Sequence, residues 1–191
     1  MIVLGYDGSL SGTRSVERGS ECRLRNGLTV SIRTVTSEDE ASILAFVGGL
    51  SLESRCLRFF SVGLNLGAEP HRGAVGDDSD HHGLLAITPE RGVVGHAIYV
   101  RVPGSERAEV AVEVVDDLNR VGLAMVLLTR LAKVAEASQI WSFFAEVLPE
   151  NGDMLTIFRD RFAAEAVVSR GEVNIEFPTS NGHLAEPSPQ P

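Results

Sequence analysis

The sequence predicts an α/β fold in which helices lie on a mixed sheet, and three stretches carry that expectation. Residues 108–131 open with Val110, Val112 and Val114 alternating with Glu109, Ala111 and Glu113, the period of a strand. They then pass through an Asp-Asp-Leu-Asn turn into Ala124, Leu127, Leu128 and Leu131, spaced three and four apart like one face of a helix. Residues 28–33 alternate in the same way and are followed by Ser37-Glu38-Asp39-Glu40, which has the form of a helix-capping box. Residues 84–87 and 93–100 read as two strands joined by a turn at Pro89 to Gly92.

Taken in order, the chain begins with Ile2-Val3-Leu4-Gly5-Tyr6-Asp7-Gly8-Ser9, which resembles the first strand and turn of a universal stress protein. The likeness ends by residue 22. One strand builds no nucleotide site, so residues 1–24 are expected to be a leader or remnant segment, and residues 1–22 to be dispensable. The helix started by the capping box should stop at Gly48-Gly49, and a second short helix should run from Leu50 to Phe60. Residues 63–82 are polar and rich in Gly and Asp, and read as a solvated loop. His71, His81 and His82 with Asp77, Asp78 and Asp80 lie in that stretch without the fixed scaffold a metal site needs, and no metal is expected. His96, inside an apolar strand, is expected to be a hydrogen-bonded structural histidine, and Tyr99 to line either the core or a substrate channel. Residues 140–147 form an apolar strand whose Trp141, Phe143 and Phe144 are expected in the core, and residues 172–177 the last strand. Residues 179–191, rich in Pro and Ser, read as a disordered tail.

Composition narrows the function classes. At 191 residues, 43% hydrophobic and 23% charged, one globular domain is expected. A net charge of −9 opposes nucleic-acid binding as the main activity, because phosphate neutralisation needs clustered Lys and Arg. Cys22 and Cys56 stand far apart with no zinc or redox spacing, and no apolar run spans a bilayer, so a cytoplasmic protein without a membrane partner is expected.

A glycine at a helix mouth lets an anion approach unpaired backbone N–H groups at the positive end of the helix dipole. Here Gly122 holds that place, and Asn119-x-x-Gly122-x-Ala124 after a strand resembles the Gln/Arg-x-x-Gly-x-Gly/Ala pyrophosphate loop of the GNAT acyltransferase superfamily. Ala108-Glu109-Val110-Ala111 with Asp116 is similar to the preceding strand of its bacterial protein-lysine acetyltransferase branch. Ala145-Glu146-Val147-Leu148 and Glu150-Asn151-x-x-Met154-Leu155-x-x-Phe158-Arg159 resemble the next strand and helix, and Arg55, Leu57, Phe59 and Phe60 an upstream segment. The likeness covers about residues 26–178.

The resemblance implies a GNAT-like domain over residues 25–178, with a central, mostly antiparallel sheet flanked by about four helices. It implies acetyl-CoA or a close acyl-CoA as donor, and a primary amine, with a protein lysine as one candidate, as acceptor. The amides of Val121, Gly122, Leu123 and Ala124, with Asn119 in the same loop, would cradle the pyrophosphate. Val114 would border the pantetheine gap, Asn151 would touch the pantetheine arm, and Glu109 would be the general base. Glu113 is the rival base; four residues of strand separate it from Glu109 by roughly 13 Å, and it is expected to be a solvated strand carboxylate. Asn119 and Val121 replace the Gln and Arg common in the family loop, and Phe158 stands where many relatives carry Tyr. A second class therefore stays open, a catalytically weakened GNAT domain that binds acyl-CoA as a sensor or interaction module.

Overall fold

The computed structural model describes residues 19–51, 80–169 and 171–184. Its strands are β1 (Ser20–Arg23), β2 (Thr29–Thr34), β3 (His81–Thr88), β4 (Gly92–Arg101), β5 (Arg107–Val114), β6 (Ser142–Val147), β7 (Glu165–Ser169) and β8 (Glu172–Pro178). The helices are α1 (Glu40–Gly49), α2 (Leu123–Ala137) and α3 (Gly152–Phe162). All eight strands form one sheet in the order β1-β2-β3-β4-β5-β6-β8-β7, antiparallel at every junction except β5 with β6. The mixed, mostly antiparallel sheet is the one expected. Three helices are described against about four expected, and the short helix from Leu50 to Phe60 falls largely on residues 52–79, outside the described residues, as do Arg55, Leu57, Phe59 and Phe60.

The apolar periodicity of α2 does its work against one face of the sheet. Leu123, Leu127, Leu128 and Leu131 are buried with Val94, Ala97, Tyr99 and Val110 of the central strands. A Cβ on Gly95 would lie 3.2 Å from both Leu123 Cδ2 and Leu127 Cδ1, so the absence of a side chain there sets how closely α2 approaches β4. The pairing of β3 with β4 shifts register between Ala86 and Ile87, leaving Val94 as a bulge whose carbonyl accepts from the Val115 N–H at 3.0 Å. On the opposite face Ile43, Phe46 and Val47 of α1 pack with Val35, Leu50 and Leu85.

Several boundaries differ from those expected. The capping box is Thr36 with Asp39, one residue earlier than Ser37 with Glu40: the Asp39 carboxylate accepts from the Thr36 N–H at 2.8 Å and from its hydroxyl at 2.9 Å. Arg33 decides the register, donating two hydrogen bonds to Asp39 at 2.7 and 2.6 Å. Residues 20–23, assigned to the leader, form β1, paired with β2 over four residues and bonded by Arg130 to the Ser20 hydroxyl and carbonyl. His81 and His82 belong to β3 rather than to a loop.

At the other end, Thr179–Leu184 is a 3-10 turn rather than tail: the Thr179 hydroxyl donates to Ile140 O at 2.9 Å and the Asn181 side-chain amide donates to Phe162 O at 2.7 Å. Of the three aromatics around β6 only Phe143 is fully buried. Trp141 is half exposed, and Phe144 lies under the Arg107 guanidinium, 5.2 Å from the ring centre. Tyr99 is in the core, and β7 is an exposed edge strand that has no apolar periodicity in the sequence.

Candidate active site

The one parallel junction of the sheet is short. β5 and β6 pair only at Arg107 with Ser142, Ala108 with Phe143 and Glu109 with Phe144. Beyond Glu109 no ladder joins them, although β5 continues to Val114 and β6 to Val147. The two strands part there. Side chains on their underside explain why they stay joined below that point, since Tyr99, Phe143 and Phe177 follow one another with ring centres 5.8 Å apart and Phe158 and Phe162 pack on Phe177 at 5.3 and 4.9 Å. Above it lies a cleft of about 940 Å³ between β5, the mouth of α2, β6 and α3.

Gly122 stands at the mouth of α2 with φ +96°, a left-handed conformation that favours glycine. The nearest atom to a Cβ built there is Arg25 Nε at 3.8 Å, so the conformation, not crowding, is what selects the residue. Asp116 anchors the preceding turn, accepting from the backbone N–H of Ser51 at 3.2 Å and from its hydroxyl at 3.1 Å. Across the cleft, Asn151 caps α3, its carboxamide oxygen accepting from the Met154 N–H at 3.3 Å.

Val114, Asn119, Gly122, Leu123, Ala124 and Asn151 all line the cleft. Val121 is in the loop but not in the lining, and its carbonyl accepts from the Arg25 N–H at 3.2 Å. Glu109 is half-buried at the last β5–β6 pair, where the cleft begins, and is not among the residues that line it. Glu113 does line it. That carboxylate is buried rather than solvated, only 7% exposed, because β4 brings the fully buried His96 opposite it and His96 Nδ1 lies 3.1 Å from Glu113 Oε2. His96 is buried and hydrogen-bonded, as expected. Among the described residues no cluster of His, Cys, Asp and Glu is arranged to hold a metal ion.

An antiparallel sheet split at one parallel junction, with a glycine-opened helix mouth facing the split, defines the class to which this molecule belongs. The GNAT domain of S. lividans PAT superposes with a TM-score of 0.74 at 30% identity, over 84% of this chain and 96% of that one. The chain belongs to the GNAT family. A cAMP-binding acyltransferase from Mycobacterium smegmatis matches with a TM-score of 0.61 at 23% identity over 90% of this chain and 50% of its own, so this chain spans about half its length. PaiA N-acetyltransferase from Thermoplasma acidophilum, in complex with coenzyme A, matches with a TM-score of 0.58 at 14% identity over 79% and 99%. Both are likenesses of fold. No family model and no curated protein matches the chain.

Proposed function

We propose that this chain is an N-acyltransferase that moves an acetyl or other short acyl group from acyl-CoA to a primary amine, a protein lysine among the candidate acceptors. The observation that carries the reading is the parting of β5 from β6 directly above Glu109 and in front of the left-handed Gly122. A pantetheine arm in the gap would meet backbone groups that no neighbouring strand occupies, and its diphosphate would reach the N–H groups of Gly122, Leu123 and Ala124. Asn151 spends its oxygen on the cap, so its amide nitrogen is the group it would offer the arm.

In the transfer, the amine lone pair attacks the thioester carbonyl, a C–N bond forms and the C–S bond breaks. An amine with an ordinary pKa near 10.4 must first lose a proton. Glu109 accepts it in this reading, directly or through water, from the floor of the gap. The coenzyme thiolate leaves and takes a proton from solvent, since Phe158, 2% exposed within the core, has no acidic hydrogen to give, and the attacking nitrogen releases its second proton to solvent as the amide forms. Glu113 competes for the role of base on one specific ground, that it lines the cleft while Glu109 does not.

Calorimetric titration with acetyl-CoA, followed by a transfer assay on lysine peptides and small amines, tests the proposal. Micromolar binding with measurable transfer is expected. Binding with no transfer to any acceptor would make the chain an acyl-CoA sensor, and no heat at millimolar ligand would sink both.

A further inference from the structure

The cleft is a poor host for a polyanion on charge alone. Glu113, Asp116, Glu146, Glu150, Asp153 and Asp160 line it, against Arg25, Arg120 and Arg161. Arg120 is already engaged with a carboxylate, its Nε bonding Asp153 at 2.8 Å, and Arg161 stands in the last turn of α3. Arg25 stands beside the glycine loop. Among the described residues its guanidinium forms no ion pair and no hydrogen bond, although it is one of the cleft's three cations.

Its position is fixed by its backbone. Arg25 is the second residue of the turn between β1 and β2, in which the Gly27 N–H donates to Leu24 O at 2.9 Å and the Leu24 N–H to Leu28 O at 2.8 Å. Gly27 takes φ +86°, and Asn26 Oδ1 accepts from the Leu28 N–H at 3.1 Å. Leu24 is buried in the main core. The turn is also bonded to the glycine loop itself through the Arg25 N–H and the Val121 carbonyl, and Arg25 Nε lies 3.8 Å from where a Gly122 Cβ would stand. The residue in the loop next to that glycine is the uncharged Val121.

We infer that Arg25, from a different element of the chain, supplies the cation of the glycine loop and clamps the diphosphate of the acyl-CoA. This inference rests on the acyl-CoA reading above. The Gly122, Leu123 and Ala124 amides present N–H groups from one side, and the guanidinium closes on the same anion from the other with its fork of donors. Fixing the turn on the loop before the ligand arrives lowers the entropy lost when the side chain engages.

The test is titration of acetyl-CoA and of its 3′-dephospho analogue into the wild type, Arg25→Gln and Arg25→Lys, at low and at high salt. Arg25→Gln should weaken both coenzymes by about ten-fold at low salt, Arg25→Lys should recover part of the loss, and the difference should shrink as salt screens the charge. Circular dichroism and the melting temperature establish that each variant is folded. Unchanged affinity in folded Arg25→Gln overturns the inference while leaving the coenzyme reading intact. A loss confined to the coenzyme that carries the 3′-phosphate overturns the placement on the diphosphate. Failure of the wild type to bind either coenzyme instead sinks the functional reading on which the inference stands.

Discussion

Two glutamates on one strand face have been given opposite surroundings by their neighbours. Glu109 pairs across the ladder with Val100 and Phe144 at the edge of the gap, whereas Glu113 faces His96 and is nearly closed off from solvent. If Glu109 is the base, Glu109→Gln should cut turnover by about a hundred-fold or more with acetyl-CoA affinity unmoved, and raising the pH should restore part of it by supplying neutral amine. Glu113→Gln should act mainly on the fold, lowering the melting temperature because the His96 ring would lose its buried carboxyl partner. A steady-state comparison of the two variants decides the matter; if Glu113→Gln is the inactive one while its melting curve is normal, the base has been misassigned. The burial of Glu113 could not be read from the sequence, since it depends on a histidine 17 residues away and on a strand register that alternation alone does not fix. Arg25 was hidden for a similar reason: nothing in its own neighbourhood says that the β1–β2 turn will be bonded to the loop before α2.

At the scale of elements, the start of α1 and the first strand each make a prediction. The Asp39 carboxyl is held at a pKa of about 2, first by the hydrogen bonds from Arg33 and then, against a penalty for burial, by those from Thr36. A carboxyl lowered in the folded state stabilises the protein above its unfolded pKa and stops doing so as pH falls through the folded value. Asp39→Asn should therefore be less stable than wild type by about 2 kcal/mol at neutral pH. Denaturant titrations should show that gap closing between about pH 4 and pH 2, and a gap constant over that range would refute the linkage. The second prediction concerns the N-terminal boundary. A chain beginning at residue 23 should melt at least about 3 °C below one beginning at residue 19, because it lacks most of β1 and the Ser20 anchor of Arg130. Equal melting temperatures would restore the dispensability expected of residues 19–22. The β5–α2 unit was legible because its apolar period changes from two to about 3.6 within a few residues, while β1 and β7 were not, being short edge strands with little buried surface to leave a pattern.

For the whole molecule, the parting of β5 from β6 means that, among the described residues, the sheet is two half-sheets, β1 to β5 and β6 to β8, whose strands pair with one another at only three positions. The aromatic contacts from Tyr99 through Phe143 to Phe177 hold the halves together below. Strand geometry turns that seam into a timing signature, because successive amides of a strand point to opposite edges. Along residues 110–114 of β5, one alternate set of amide protons is locked against β4 while the other looks into the gap. In deuterated water the gap-facing set should exchange orders of magnitude faster than its immediate neighbours, a one-in-two stripe within a single strand. Saturating acetyl-CoA should slow the fast set selectively and leave the slow set where global unfolding puts it. Residue-resolved exchange in the free and coenzyme-saturated protein would then read the path of the ligand, amide by amide, from solution.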